Sequence, residues 1–265
     1  MTTHDTSTAP DTTTTFLPSP VPSRGRRAVL VGVGVVSCAL PTVFGLNIAR
    51  LLLTGELAEH RYHQITGQGE ILVALWLVPI VLMLRAGWQG RRPAAVLGLQ
   101  HLTLAGCGIG AAAVAPGGGA PFLVAVIAGT GALLWAALPK RPRLRLAVAI
   151  DPLLAPLALI GTALLVPYAV DQLALQNAAT TGLHASNPHY FDQAWIALTL
   201  AVSALLAAAL PAARRAMVGA GGALVVLGTA GLVLEEGAAL HLAFLATGVA
   251  MVVASTVVGR HLTRN

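Results

Sequence analysis

The chain has 265 residues, of which 56% are hydrophobic and only 10% are charged, whereas about a quarter of the residues in a soluble globular protein are charged. This composition excludes an ordinary soluble domain and predicts that lipid is the solvent for most of the chain. The net charge of +6 does not indicate a nucleic-acid-binding protein, because the basic residues lie in short clusters between apolar runs and not on one solvated face.

The N-terminal segment, residues 1–23, is rich in Thr, Pro and Ser and contains few large apolar side chains. Such a segment cannot bury enough apolar surface to offset the entropy lost on ordering. We therefore predict a disordered cytoplasmic tail. Residues 24–265 are predicted to form one transmembrane helical domain.

Eight apolar runs follow, most of them near the length of about 20 residues that crosses ~30 Å of hydrocarbon as an α-helix. They cover residues 28–53, 71–86, 94–115, 119–138, 146–169, 194–212, 216–234 and 239–258. The third and fourth runs meet at Pro116-Gly117-Gly118-Gly119, which is typical of a turn between antiparallel helices. The predicted fold class is all-α, a polytopic transmembrane helical bundle of about eight helices.

The positions of the basic residues predict the orientation of this bundle, because Lys and Arg are retained in short cytoplasmic loops. With the N-terminus inside, every basic residue except Arg50 and Arg61 falls in a segment that faces the cytoplasm. An even number of spans then returns the C-terminus to the same side. The predicted location is the bacterial cytoplasmic (inner) membrane.

Two parts of the chain, residues 70–98 and 192–219, share one layout. Each has an acidic residue, an apolar span, an arginine pair and then a span rich in small residues. This layout predicts a 4+4 parallel repeat, with halves at residues 28–138 and 146–258. The alternative is chance similarity, because any chain rich in Ala, Leu and Gly with basic inner loops aligns with itself.

The outer segments of this topology hold five of the eight histidines and most of the acidic residues. Imidazole and carboxylate groups are the usual protein ligands of zinc, copper and iron. His60 and His63 are three residues apart, and a helix starting near Pro188 would place His189 beside Asp192.

These spacings predict an outer-face ligand cluster, for a metal ion or a haem. The alternative is a set of solvated loop residues with no common role. The candidate cluster comprises His60, His63, Glu70, His184, His189, Asp192, Glu235, Glu236 and His241. Its candidate metal ligands are His60, His63, His184, His189 and Asp192.

Two ionisable residues, His101 and Asp151, are predicted to lie inside the spans, roughly 8–10 Å from the cytoplasmic surface. An ionisable side chain in hydrocarbon costs several kcal/mol unless it is paired or hydrated, which favours a His101–Asp151 pair. Such a pair would be an interhelical hydrogen bond, the commoner role, or a proton relay. Gly106 and Gly110 match the GxxxG helix-packing motif, which has little specificity in so Gly-rich a chain.

The sequence contains no phosphate-binding loop, nucleophile elbow, HExxH or CxxC motif, so an ATP-driven or hydrolytic enzyme is not indicated. Three functions stay open. They are a membrane protein with an extracytoplasmic ligand or metal site, a secondary transporter or channel that uses Asp151 and His101, and a non-catalytic scaffold or accessory subunit. The only partner that the composition predicts is the lipid bilayer.

The segment from Leu165 to Trp195, LVPYAVDQLALQNAATTGLHASNPHYFDQAW, resembles actinobacterial integral membrane proteins of no assigned function. The resemblance covers about the C-terminal half of the chain. It implies a multi-pass protein of the inner membrane, and it implies no substrate, cofactor or catalytic residue.

Overall fold

The structure is a computed structural model that describes residues 23–262 except Arg145 and Glu235, without the side chains of residues 68–70 and 259–262. These residues are mostly helical, and none of them forms a strand. Within this described part of the chain, eight helical segments are long and apolar enough to cross a membrane. The predicted all-α bundle with eight spans is confirmed, and the chain is a multi-pass integral membrane protein. The predicted N-terminal tail, apart from Ser23, lies outside the described residues.

The first four spans begin with helix α1, whose ends carry standard caps. The Ser23 hydroxyl accepts a hydrogen bond from the Arg26 amide at 3.4 Å, and Gly55 ends the helix with φ +73°. The second span is a continuous helical segment of four parts. The elements are α1 (Arg24–Thr54), a 3₁₀ turn (Ala58–His60), α2 (Arg61–His63), a π-helical stretch (Gln64–Gly69), α3 (Glu70–Trp88), α4 (Ala95–Val114), a 3₁₀ turn (Gly117–Gly119) and α5 (Ala120–Ala137).

The last four spans contain one short helix and one short turn in their connections. The elements are α6 (Leu154–Ala178), α7 (Gly182–Ser186), α8 (His189–Ala209), a 3₁₀ turn (Pro211–Ala213), α9 (Ala216–Val233) and α10 (Ala238–Leu262).

The second span is longer than the predicted run of residues 71–86, which α3 contains. The helical segment begins at Ala58, so it includes residues that hydropathy assigns to a loop. Tyr62, Gln64 and Thr66 are polar but buried, and hydrogen bonds to neighbouring segments replace the water that they would otherwise contact.

The fifth span also differs from its predicted bounds of residues 146–169. Helix α6 begins only at Leu154, and the chain before it is irregular, with the Ala149 amide donating to the Ala209 carbonyl at 2.9 Å. Asp151 and Pro152 set this start, because the Asp151 carboxylate accepts from the amides of Leu153 and Leu154 at 3.0 and 3.2 Å. Proline suits a helix start, where its missing N–H is not needed.

Contacts between helix ends show that all the connections rich in arginine lie at one end of the bundle, which we call the arginine end. The Arg26 guanidinium donates to the Leu138 carbonyl at 3.5 Å, which joins the start of α1 to the end of α5. Arg27 lies 5.0 Å above the ring of Trp88, at the end of α3. Leu99, near the start of α4, packs against Leu210 at the end of α8.

The opposite end carries the connections that contain most of the histidines, and we call it the histidine end. There the Asn177 amide donates to the Val114 carbonyl at 3.1 Å, which joins the ends of α6 and α4. Gly118, with φ +61°, packs so closely on the backbone of Asn187 and Pro188 that a Cβ atom would lie 2.8 Å from the Pro188 nitrogen. The predicted turn at residues 116–119 is therefore confirmed, and it contacts the start of α8.

The two halves of the bundle have the same pattern of neighbours. In the first half α1 and α4 each pack against both α3 and α5, and in the second half α6 and α9 each pack against both α8 and α10. This pattern agrees with the predicted 4+4 repeat, which stays a prediction.

Helix α8 lies at the centre of the bundle. In its span 78% of the residues are buried, against 22–44% in the other seven. Trp195 of α8 is fully buried, and its indole Nε1 donates to the Leu104 carbonyl of α4 at 2.7 Å.

The glycine that allows this approach of α4 to α8 is Gly108, where an added Cβ atom would lie 2.5 Å from Trp195 Cε2. Gly106 and Gly110 have no atom of a neighbouring element within 4 Å of an added Cβ. The GxxxG pair therefore makes no close helix contact within the described chain.

Candidate functional site

Four histidines from two separate connections converge at the histidine end, and we call them the four-histidine cluster. The six distances between their ring centres lie between 4.8 and 6.3 Å. His60 and His189 lie almost parallel, with 6° between their ring planes. The cluster comprises His60, His63, His184 and His189, which are all four of the histidines predicted as metal ligands.

Local structure fixes the first pair. His60 ends the 3₁₀ turn and His63 ends α2, so both rings leave the same short helical segment on one side. The loop before it is held by Gln64, whose side-chain amide donates to the carbonyls of Glu56 and Leu57, each at 3.2 Å. This anchor explains why Leu57 is held in the left-handed region, with φ +53°.

The second pair is positioned by Gln176 near the end of α6. Its side-chain nitrogen donates to the His184 carbonyl at 3.0 Å, and its oxygen accepts from the Phe191 amide at 3.2 Å. One buried side chain therefore ties both α7, which carries His184, and the first turn of α8, which carries His189. Sequence analysis missed Gln176, because a neutral amide in an apolar span gives no local signal of this role.

Several ring nitrogens of the cluster are buried and have no hydrogen-bond partner among the described residues. They are His63 Nδ1, His184 Nε2, and both Nδ1 and Nε2 of His189. Burial, and to a smaller extent the neighbouring His60, lower the pKa of His184 below its ordinary value of 6.5. This ring is therefore neutral at pH 7, the form in which imidazole binds a metal ion.

A cavity of about 370 Å³ lies beside the cluster, between α1, the second span, the turn before α5 and the start of α8. Asp192 is fully buried and lines this cavity, as do His60 and His189. The Asp192 carboxylate thus lies in the same compartment as two of the four histidines, as the spacing of His189 and Asp192 predicted. The cavity gives the cluster a volume in which a small ligand could lie.

As the side chains stand, no three His, Cys, Asp or Glu groups in the described part of the chain are arranged to hold a metal ion. Of the six ring pairs, His60 and His189 stack in parallel, and the other five meet edge-on or tilted. Tyr190 stacks on His184, with its ring centre 4.5 Å from that of His184.

The other predicted members of the outer cluster are placed differently. Glu236 is exposed in the turn before α10, and the side chain of Glu70 and all of Glu235 lie outside the described residues. His241 is buried in α10 and separated from His63 by Tyr62, whose ring centre lies 5.4 Å from His241 and 5.9 Å from His63. The prediction that His241 shares one cluster with His60 and His63 is not supported by these contacts.

His241 belongs instead to a chain of buried hydrogen bonds that links four spans, and sequence analysis missed it. Tyr62 Oη lies 2.9 Å from His241 Nε2 and 3.4 Å from Tyr168 Oη. Tyr168 donates to Gln193 Oε1 at 3.1 Å, and Gln193 Nε2 donates to Thr66 Oγ1 at 2.7 Å. We call these five residues the buried polar chain.

The predicted pair of His101 and Asp151 does not form in the described residues. The Asp151 carboxylate caps α6, and its Oδ2 lies 3.4 Å from Arg214 Nη2 at the arginine end. His101 packs against Gly131 of α5, where its ring occupies the space that a Cβ atom would need. Asp151 lies before its helix because Pro152 favours a helix start there, so it is not about five residues inside the fifth span, as the sequence predicted.

We compared the chain with known proteins. No protein-family model, curated protein or solved structure matches it.

Proposed function

We propose that this membrane protein binds one divalent transition-metal ion, of the zinc or copper class, between the rings of the four-histidine cluster. The observation that carries the proposal is the convergence of four imidazoles from two connections more than 100 residues apart in the sequence, with ring centres within 6.3 Å of one another.

The spacing of the rings fits such an ion. Four imidazole nitrogens at about 2.0–2.1 Å from a tetrahedral zinc ion would place the ring centres roughly 5 Å apart. The rings must turn to direct their nitrogens inward, and the torsion that turns a histidine ring has a broad, soft energy profile. The present ring-centre distances of 4.8–6.3 Å are already close to this spacing.

The buried nitrogens also support a ligand. A buried polar atom that lacks a partner costs about 1–3 kcal/mol, and His189 has two of them while only 7% of its surface is exposed. Coordination would satisfy one nitrogen of each ring, and the buried carboxylate of Asp192 would offset part of the charge of the ion. All-imidazole ligand sets suit zinc and copper better than magnesium or calcium, which prefer oxygen ligands.

The test is metal loading of the full chain, purified in detergent through an affinity tag that contains no histidine. The protein is stripped with a chelator, loaded with Zn²⁺ or Cu²⁺ and measured by elemental analysis and by competition with a chromophoric chelator. We expect one ion per chain at pH 7.5, and a weaker affinity as the pH falls towards 5.5 because protonated imidazole cannot bind a metal.

Matched variants separate this site from adventitious binding. His63→Ala and His189→Ala should each weaken binding by about tenfold or more, since even partners outside the ligand set typically contribute ~10–100-fold. His101→Ala removes a buried histidine outside the cluster and should bind like the wild type. The proposal fails if the wild type holds no more metal than a variant that lacks all four histidines, and a haem absorption band would replace it with haem binding.

The proposal includes an orientation for the protein. The arginine end lies in the cytoplasm of a bacterial inner membrane, with both termini there, and the four-histidine cluster lies on the extracytoplasmic side. The support is the retention of Lys and Arg in cytoplasmic loops, because the connections that contain Arg91, Lys140 and Arg214 all lie at one end of the bundle.

A further inference from the structure

A second site lies in the buried polar chain, which joins the second span to α6, α8 and α10. All five members are at least nine-tenths buried: Tyr62, Thr66, Tyr168, Gln193 and His241. Two of its contacts have a fixed direction because a carbonyl only accepts. The Thr66 hydroxyl donates to the Tyr62 carbonyl at 2.6 Å, and His241 Nδ1 donates to the Gly237 carbonyl at 2.7 Å.

These two ends fix the direction of the bonds between them. The Thr66 hydroxyl has one hydrogen, which the Tyr62 carbonyl receives, so Thr66 Oγ1 must accept from the Gln193 side-chain nitrogen. Gln193 Oε1 then faces Tyr168 and accepts the only hydroxyl hydrogen of Tyr168. Neither Thr66 nor Tyr168 has a hydrogen left to give.

Two contacts remain, and both involve the hydroxyl of Tyr62, which has one hydrogen. They are the 2.9 Å contact with His241 Nε2 and the 3.4 Å contact with Tyr168 Oη. If His241 is neutral, its ring hydrogen is on Nδ1, and Tyr62 can donate its single hydrogen to only one of the two partners. If His241 is protonated, Nε2 donates to Tyr62, and Tyr62 donates to Tyr168. The buried polar chain therefore lacks one hydrogen for its contacts until a proton binds His241.

The distances agree with the neutral form. O–H···O hydrogen bonds span about 2.5–3.0 Å, and the 3.4 Å separation of the two phenol oxygens exceeds that range. The contact with His241 Nε2, at 2.9 Å, is the shorter of the two, which fits a hydrogen bond donated by Tyr62 to this nitrogen. The longest contact in the chain is therefore the one that lacks a hydrogen.

We infer that His241 is a proton-binding site, and that a proton taken up on Nε2 completes the buried polar chain and ties the second span to α6 through a new hydrogen bond from Tyr62 to Tyr168. The proton comes from the aqueous phase and adds to the ring, while the Tyr62 hydroxyl turns from His241 towards Tyr168. No covalent bond other than the new N–H forms or breaks.

Glu236, in the turn before α10, acts electrostatically on both Tyr62 and Tyr168. Among the side chains that the structure describes, the other ionisable groups near the ring of His241 are Tyr62, with His63 behind it in the second span, and Tyr168 of α6. Helix α8 contributes Gln193, which carries no charge.

The test compares the stability cost of Tyr168→Phe at two pH values, in metal-free protein so that it does not depend on the proposed metal site. Thermal unfolding in detergent is measured at about pH 8 and about pH 5, the range in which histidine changes charge. We expect Tyr168→Phe to lower the melting temperature more at the lower pH, because the bond from Tyr62 exists only in the protonated form. The other histidines titrate alike in both proteins, so their effect cancels in the difference.

Tyr190→Phe is the matched control, since Tyr190 stacks on His184 outside the buried polar chain, and its cost should not depend on pH. A second measurement follows the ring nitrogens of His241 by NMR in ¹⁵N-histidine-labelled protein, assigned by the signal lost in His241→Gln. Nδ1 should carry a hydrogen throughout, and Nε2 should gain one on acidification.

In Tyr168→Phe the midpoint of that gain should move to lower pH by about 0.7 unit, which corresponds to ~1 kcal/mol at 1.36 kcal/mol per unit. Tyr168 lies two bonds of the chain away from His241, so simple loss of packing would not produce this shift. An unchanged midpoint in Tyr168→Phe, or a cost of that substitution that is the same at both pH values, would overturn the inference.

Discussion

Replacing Gly108 by alanine should destabilise the bundle, because Gly108 sets the distance between α4 and the central helix α8. An alanine Cβ would lie 2.5 Å from Cε2, 2.6 Å from Cζ2 and 2.8 Å from Nε1 of Trp195. Ordinary contacts between such atoms begin at about 3.5 Å, so the helix or the indole must move by about 1 Å. Trp195 is fully buried and cannot turn aside into lipid.

Two costs add up in this variant. Overpacking a well-packed core costs about 1–3 kcal/mol, and displacement of the indole weakens its bond to the Leu104 carbonyl, which is worth ~1 kcal/mol. We expect a loss of roughly 2–4 kcal/mol in the free energy of unfolding. At about 2–4 °C per kcal/mol, the melting temperature should fall by roughly 4–16 °C.

The assay is thermal unfolding in detergent, followed by tryptophan fluorescence and by helical circular dichroism. Gly106→Ala and Gly110→Ala are the matched controls, since each changes a glycine of the same helix that has no neighbouring atom within 4 Å. Both should melt at or above the temperature of the wild type, because alanine favours helix over glycine. Equal melting temperatures for the three variants would refute the assignment of Gly108 as the packing glycine.

Two further predictions concern the arginine end. Asp151→Asn should lower the free energy of unfolding by about 1 kcal/mol or less, because its amide oxygen can still cap α6 and only the ion pair with Arg214 is lost. Asp151→Ala should cost about 2 kcal/mol, since the cap is lost as well, and chemical denaturation that gives equal costs would contradict the capping role. Single cysteines placed at Arg91 and at Arg214, in a variant without the two native cysteines, should be protected from an impermeant thiol reagent in intact cells, whereas one placed at Glu236 should react. Labelling of the cysteines at Arg91 and Arg214, but not of the one at Glu236, would show that the protein has the opposite orientation.

The sequence predicts the members of the four-histidine cluster, but it does not predict the position of His241. Residue type and the predicted side of the membrane are enough to select candidate ligands. This selection includes His60, His63, His184 and His189. Sequence could not show that His241 lies apart, because the separation depends on Tyr62, whose ring lies between His241 and His63. Such an arrangement is a property of helix rotation and packing, which no local pattern in the chain encodes.

Groups with no charge were the hardest to recognise. Tyr168, Gln193 and Gln176 are separated in sequence from their partners and sit among apolar residues, so each resembles an isolated polar side chain in a span. Their partners are supplied by other helices, as the 127 positions between Gln193 and Thr66 show. The helical segment before α3 was missed for the same reason, because hydropathy counts its polar residues as loop while the fold satisfies their hydrogen bonds.

The sequence itself determined the number of spans and the alternating direction in which they cross the membrane. It also determined that arginines and histidines lie at opposite ends of the bundle. The physical reason is that a bilayer requires about the same length of every span and favours the cytoplasmic side for every basic loop. Both effects act on short stretches of the sequence. Which glycine packs, where α6 begins and which histidines meet were decided only by the tertiary structure. Those features depend on contacts between helices that are far apart in sequence, such as Gly108 with Trp195 and His60 with His189.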